Sequence, residues 1–91
     1  MLPPEDLEAI LEENEALLLY PPEDFEHCLI GYVRRFTHTV ALYDEEKVIE
    51  VFMRRDGATY TNAREHFEFN VIGGWSGDGT PAFATLLDPV G

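Results

Sequence analysis

A glycine-rich segment at residues 73–81, with the sequence GGWSGDGTP, carries the most distinctive chemistry of the chain. Its glycines let the backbone approach a neighbouring group closely, and it contains the single tryptophan, Trp75, with Asp78 and Thr80. It does not match a phosphate-binding loop, because it has no lysine and its glycines follow a predicted helix instead of opening one. We expect Trp75 to cover the protein's own core or to contact a partner or ligand. Asp78 and Thr80 either belong to the same binding site or form a turn that leads the chain back to the last strand.

Asn70 and two pairs of arginines are the other candidate binding residues. Asn70 continues the apolar stripe of the helix predicted before the glycine-rich segment, so its amide should point to the interior or to that segment. It then either holds the segment's backbone or lines the floor of a pocket, because a buried amide needs hydrogen-bond partners. Arg34 and Arg35 lie at the tip of a predicted hairpin. With Arg54 and Arg55 they either form an anion-binding patch or pair with the surplus glutamates.

The residue types that usually carry catalysis or metal binding form no recognisable set. His27, His38 and His66 share no metal-ligand spacing, and one cysteine with scattered histidines does not define a zinc site. Cys28 heads an apolar stretch, which is typical of a small buried hydrophobe, and it has no partner for an internal disulfide. No nucleophile, base and oxyanion donor can be assembled from the spacing. We therefore predict no catalytic residue, no metal and no cofactor.

The net charge of the chain limits the kinds of partner that it can bind. The 91-residue chain has 18 acidic and 6 basic residues, a formal net charge of −12. Nine of the acids precede residue 27, where there is no lysine or arginine. Phosphate neutralisation drives nucleic-acid binding, so a conventional DNA- or RNA-binding role is disfavoured. The acidic surface either serves solubility alone or attracts a basic protein partner, as an inhibitor that mimics nucleic acid would.

The N-terminal part predicts one long acidic helix over residues 4–19. Proline followed by acids is typical of a helix start, and leucine and isoleucine side chains then recur on one face, opposite a face that is nearly all glutamate. Pro21 and Pro22 should end this helix. The starting sequence LPPEDLE recurs as YPPEDFE, which predicts a further short helical turn after residue 21.

The middle of the chain predicts a β-hairpin. Leu29–Val33 and Thr39–Tyr43 are rich in β-branched and aromatic residues and flank a five-residue polar connection, RRFTH, whose turn type is left open. Gly31 inside the first strand indicates a bulge or a close neighbour.

Two helices and a strand should follow the hairpin. Asp44 is a good N-cap for a helix over 45–55, and Thr59 can cap a second helix over 60–71. Residues 82–87 predict a third strand, which completes a small three-stranded antiparallel sheet. The predicted class is α+β.

We predict a single small acidic domain over residues 1–91, with the acidic helix in 1–20 and the core in 25–87. No apolar run is long enough to span a bilayer, and the acidic N-terminus is not typical of a signal peptide. With a single cysteine, these features favour the cytoplasm.

A long motif, DGxTYxxAxxxFxxNVxGxWxGxxTP, runs over residues 56–81, with LIG at 29–31 and YDxxKVIE at 43–50. On these residues the chain resembles a family of short proteins of unknown role that are frequent in phage genomes and in bacterial mobile regions. The resemblance runs from about residue 25 to residue 81. It implies a family and no particular reaction.

The charge and the resemblance together predict a non-enzymatic interaction protein, encoded by a phage, that binds a host or phage protein as an inhibitor. One alternative is a protein that binds or sequesters a nucleotide-like signal through Arg34, Arg35 and Trp75. An uncharacterised enzyme is the other. A homodimer is a further expectation, because so short a chain with a short sheet has little core of its own.

Overall fold

The computed structural model describes residues 1–74 and 77–88, and these form an α+β fold. The helices are α1 (Pro4–Glu13), α2 (Pro22–Phe25) with a 3₁₀ turn (Glu26–Cys28), α3 (Glu45–Asp56), and α4 (Tyr60–Phe67), which continues as a π-helix (Glu68–Ile72). The strands are β1 (Leu29–Arg35), β2 (His38–Asp44) and β3 (Ala82–Ala84). No helix in these ranges is long and apolar enough to cross a membrane.

The sheet is mixed, with strand order β1-β2-β3. β1 and β2 pair in antiparallel register, whereas β3 runs parallel to β2, with Leu42 opposite Ala82 and Asp44 opposite Ala84. The prediction of a purely antiparallel sheet is therefore wrong. The reason is the connection: α3 and α4 carry the chain back before it enters β3, and such a helical crossover joins parallel strands. β3 is also shorter than the predicted 82–87, and Leu86 and Leu87 are exposed.

The hairpin is confirmed, and its two-residue turn consists of Phe36 and Thr37. Phe36 has a φ of 55°, in the left-handed region, and its side chain is 96% exposed. The bulge expected at Gly31 is present as a register shift between Leu29 and Gly31. A close neighbour is not, because a Cβ at Gly31 would meet no atom within 4 Å.

Helix α1 ends at Glu13, six residues before the predicted end at residue 19. Asn14 donates its side-chain amide to the Ile10 carbonyl, and Glu15 takes a left-handed φ of 55° that breaks the helix. Residues 16–19 instead follow the body of the protein, where the backbone amide of Leu19 donates to the hydroxyl of Tyr43 at 3.0 Å. A long-range hydrogen bond therefore overrides the local helical pattern, which Leu17 and Leu18 alone had extended.

The starts of α3 and α4 lie where their caps predict. The Asp44 carboxylate accepts from the backbone amides of Glu46 and Lys47, and the Thr59 hydroxyl accepts from that of Asn62. Gly57 ends α3 with a left-handed φ of 62°, which glycine adopts without strain. Helix 60–71 begins as predicted, but its last turn is π-helical and not α-helical.

One hydrophobic core joins α1 to the rest of the chain. Tyr43 stacks on Phe83 with ring centroids 6.0 Å apart, and Phe83 meets Phe67 edge-on at 5.1 Å. The other buried side chains are Leu11, Phe25, Cys28, Ala41, Val48, Ile49, Val51, Phe52 and Ala63. Because Leu11 is only 3% exposed, α1 packs against the body and does not project from it.

Burial raises the pKa of the Cys28 thiol from its ordinary value of 9.0 to about 11, although Lys47 and Arg54 nearby oppose the shift. Below pH 9 the thiol is protonated in both folded and unfolded chains, so its full contribution to stability is present. Between pH 9 and about 11 the unfolded chain loses the proton first. We expect stability to fall over this window by at most about 3 kcal/mol.

The measurement is the free energy of unfolding in urea at a series of pH values, for the natural chain and for Cys28→Ala. The variant should be less stable at neutral pH but should have a shallower alkaline slope; burial also raises the pKa of Tyr43, so some slope remains in both. Parallel slopes for the two proteins would contradict the assignment to Cys28.

Candidate functional site

The predicted site residues do not meet in a single place. Trp75 lies outside the described residues. Asn70 is exposed, and its side-chain amide donates to the backbone carbonyl of His66 and contacts the His66 ring, both at 3.2 Å. The prediction that this amide points to the interior is therefore wrong. The π-helix Glu68–Ile72 has more residues per turn than an α-helix, so Asn70 within it is rotated away from the apolar stripe that a regular helix would continue.

Asn70 does share a surface depression of about 280 Å³ with Gly74 and Thr80. Its floor is supplied by Leu19, Val71 and Phe83 and is apolar. Asn70 thus borders the glycine-rich segment at the surface, whereas the hydrogen bonds of its amide run to His66.

A second depression, of about 230 Å³, lies beside the hairpin and brings together Arg35, Asp78 and Thr80. Asp78 is 3.4 Å from the Nε2 atom of His38, which ties the glycine-rich segment to β2. The Thr80 hydroxyl donates to the Gly77 carbonyl at 2.7 Å, which is turn chemistry. Because basic and acidic groups alternate around this depression, it has no single charge for an anionic or a cationic ligand.

The four arginines do not form one patch. Arg34 and Arg35 are the last two residues of β1, and neighbouring residues of a strand point to opposite faces of the sheet. Arg54 contacts the ring of His27 at 3.4 Å, and Arg55 lies 3.9 Å from Asp24, in the segment that precedes β1. The two pairs therefore belong to opposite ends of β1, and the predicted common anion site is not formed.

The glycine-rich segment makes its close approach to the protein's own chain. The Gly79 carbonyl accepts from the backbone amide of Leu17 at 3.0 Å, and a Cβ on Gly79 would lie 3.3 Å from the Glu15 carbonyl oxygen. A Cβ on Gly73 would lie 2.8 Å from the Phe69 carbonyl oxygen, closer than a carbon can approach it. Gly73 thus lets the π-helix end close to its own backbone, and Gly79 lets its segment pack closely against residues 15–17.

A groove between α1 and the α2 segment was not predicted from the sequence. Its volume is about 400 Å³, its floor is apolar, and three carboxylates stand at its rim. The floor is formed by Leu11, Ala16, Leu18, Leu29 and Tyr43, and the rim by Glu8, Glu12 and Glu26. A further depression of about 430 Å³ shares Glu8, Glu26 and Leu29 with it and extends to Pro4, Leu7 and His27. We call the first part the acidic groove and the extension its outer end.

The electrostatics of the acidic groove are one-sided. No lysine or arginine lines it or its outer end, and none precedes Arg34 in the sequence. Within residues 1–74 and 77–88, the carboxylates that form ion pairs with arginine or histidine are others: Asp24, Glu45, Glu46, Glu68 and Asp78. The rim carboxylates of the groove are thus exposed and available to a cation.

The groove exists because α1 stops early. Residues 16–19 turn back along the body, and this places Leu18 beside α1 with 44% of its surface exposed. One sequence signal pointed to this: Leu17, Leu18 and Leu19 are consecutive, and three successive residues cannot share one face of a helix. In the part of the chain that the structure describes, no group of three histidine, cysteine or acidic side chains could hold a metal ion.

Comparison with protein-family models, with curated proteins and with solved structures gives no significant match for this chain.

The tight packing at Gly73 is testable by adding one methyl group. Gly73→Ala should destabilise the fold by about 1–3 kcal/mol, because its Cβ would overlap a backbone carbonyl that has no freedom to move. Gly31→Ala is the matched control, since its Cβ would enter open space, and it should change stability by less than about 1 kcal/mol. Urea unfolding of both variants measures the difference. Equal stabilities would mean that the glycine-rich segment packs more loosely than described.

Proposed function

We propose that this chain is a non-enzymatic interaction domain that binds a basic, amphipathic segment of another protein in the acidic groove. The observation that carries the proposal is the pairing of an apolar floor with a rim of unpaired carboxylates. The resemblance of residues 56–81 to short phage and mobile-element proteins fits a partner from the host cell or the phage. With its one cysteine buried and unpaired, we place the protein in the cytoplasm.

The floor of the groove supports the first half of this proposal. Leu18 is 44% exposed at the centre of a concave surface, next to the buried Leu11. Covering apolar surface contributes about 25 cal/mol for each Å² removed from water, so an apolar side chain that fills the groove gains affinity there. Concave apolar sites of this size commonly receive the apolar face of a helix.

The carboxylates at the rim support the second part of the proposal, that the bound segment is basic. Glu8 and Glu12 are one helical turn apart on α1, and Glu26 of the 3₁₀ turn lines the same groove. Three carboxylates around a low-dielectric floor favour lysine or arginine at the flanks of the bound segment. The net charge of −12 acts in the same direction at longer range, because it accelerates the encounter with a basic partner and repels an acidic one.

The nucleotide-binding and enzymatic alternatives have less support. Arg35 shares its depression with Asp78, and Arg34 is on the other face of the sheet, so the two do not converge on one phosphate. The thiol of Cys28 is fully buried, and burial raises its pKa to about 11, so it is protonated at neutral pH and is not a nucleophile.

The proposal is tested with a fluorescent synthetic helix that has leucines on one face and lysines on the other, and with a scrambled peptide of the same composition. The amphipathic peptide should bind more tightly, and its affinity should fall as salt is raised. Leu18→Asp should weaken binding by at least about tenfold, because it places a charge on the apolar floor. Leu87→Asp, at a 93% exposed position away from the groove, is the control.

The rim is tested separately with the triple variant Glu8→Gln, Glu12→Gln, Glu26→Gln. It should weaken binding by roughly tenfold and reduce the salt dependence, since each exposed contact contributes up to about 1 kcal/mol. A second triple variant, Glu13→Gln, Glu23→Gln, Glu65→Gln, removes the same charge from exposed positions outside the groove. If both triple variants weaken binding equally, attraction is by net charge alone and the groove is not the site.

A further inference from the structure

The free edge of β1 is the feature that the proposed function leaves unexplained. β1 is the terminal strand of the sheet, and no other strand of the described chain pairs with its outer side. Arg35 and His38 close a two-residue turn and therefore form a hydrogen-bonded pair. Hydrogen-bonded and non-hydrogen-bonded pairs alternate along an antiparallel ladder. Tyr32 and Arg34 are in non-hydrogen-bonded pairs with β2, so they direct their backbone N–H and C=O groups away from β2. An edge of this kind is a template for another strand.

The features that keep edge strands apart are confined to the two ends of β1, where a bulge marks its start and Arg34 and Arg35 its last two positions. β1 contains no proline or lysine, and its bulge lies at its start, between Leu29 and Gly31. From Gly31 to Arg35 the register with β2 is regular. Ile30, next to the bulge, is an apolar residue that is 39% exposed. A natural monomer usually protects such an edge.

The hairpin tip is the second observation. Phe36 is almost fully exposed, and its φ of 55° lies in a region that bulky side chains rarely adopt. It directly follows Arg34 and Arg35, which form no ion pair with a carboxylate in residues 1–74 or 77–88. An aromatic ring beside unpaired arginines is the composition of an interface anchor. The tip is apolar and basic, whereas the outer end of the acidic groove is apolar and acidic.

The sheet geometry allows the tip and the outer end to meet between two copies. If two β1 strands pair in antiparallel fashion with Tyr32 opposite Tyr32, then Arg34 of each copy lies opposite Ile30 of the other, and Phe36 reaches the segment just before β1. In this arrangement the equivalent faces of the two sheets lie on the same side of the sheet that the two copies form together. Arg34 is opposite Thr39 and shares the face of Tyr43, which lines the acidic groove. Leu29 is opposite Tyr43 and lines both the groove and its outer end, so we place the outer end, with Glu8 and Glu26, on that same side.

We propose that the chain forms a two-fold homodimer in which the β1 edges pair, and in which Arg34 and Phe36 of each copy close the outer end of the other copy's acidic groove. The occupant of the outer end is thus a second copy. The inner part of the groove, around Leu18, stays open. This proposal depends on the edge of β1 and the hairpin tip, and it does not require the partner proposed above.

Sedimentation of the full chain tests the dimer directly, and a charge exchange tests its register. The variant Arg34→Glu, Arg35→Glu makes the tip acidic, and the variant Glu8→Lys, Glu26→Lys makes the outer end basic. Each alone should dimerise at least about tenfold more weakly than the natural chain. An equimolar mixture should recover the dimer, because both contacts in the mixed pair are attractive again. The pair Lys47→Glu, Arg64→Glu changes the charge by the same amount at positions that line neither the groove nor its outer end; it is the control and should leave dimerisation unchanged.

A backbone variant tests the strand pairing itself. Arg34→Pro removes an N–H that points away from β2. Circular dichroism should therefore show a folded chain, and sedimentation should show a monomer. Failure of Arg34→Pro to fold would contradict the outward orientation of this N–H. A natural chain that sediments as a monomer up to its concentration limit would overturn the proposal. So would a dimer that survives in both charge variants, or a mixture that stays monomeric.

Discussion

The side chain of Tyr43 is the constraint on which the rest of the structure depends. Its ring is buried and stacks on Phe83, while its hydroxyl accepts a hydrogen bond from the backbone amide of Leu19. A phenol hydroxyl in this position needs a partner, because leaving one unpaired would cost about 1–3 kcal/mol. Burial also raises its pKa above the ordinary value of 10.0, so the hydroxyl stays a neutral acceptor well into the alkaline range. Satisfying this one group holds residues 16–19 against the sheet, and the acidic groove is the space left between that segment, α1 and α2.

The glycine-rich segment reinforces the same arrangement from the other end of the chain. Gly79 accepts the amide hydrogen of Leu17, two residues from the one that Tyr43 holds. Gly73 allows the π-helix to end against its own carbonyls. Phe83 then enters between Tyr43 and Phe67. The first and last parts of the chain are thus fixed to each other across β2, and Gly73 and Gly79 have a structural role in this packing.

Local signals in the sequence predicted the elements that depend on local chemistry. Asp44, Gly57 and Thr59 act within one turn of their own positions, so the ends of α3 and the start of α4 could be read directly. The end of α1, the direction of β3 and the exposure of Asn70 could not. The exposure of Asn70 depends on the π-helical geometry of Glu68–Ile72, which an α-helical periodicity does not reveal. The other two depend on a contact or connection between distant residues: Leu19 with Tyr43, and the helical crossover to Ala82. The acidic groove was missed for the same reason, although the acids that form its rim were recognised as an unusual cluster.

The distribution of charge gives the two proposed contacts different physics. A basic partner is attracted by the whole net charge of −12, so salt weakens the approach as well as the contact itself. Two copies of the chain instead repel each other at long range and attract only where the arginines of one tip meet Glu8 and Glu26 of the other. Salt with a screening length of about 8–10 Å removes the distant repulsion more than the close attraction. The edge of β1 provides an attraction between two copies that the net charge does not provide, because backbone hydrogen bonds are local and insensitive to net charge. For so acidic a chain, we therefore expect self-association to begin at β1, where Arg34, Arg35 and the unpaired backbone groups lie together.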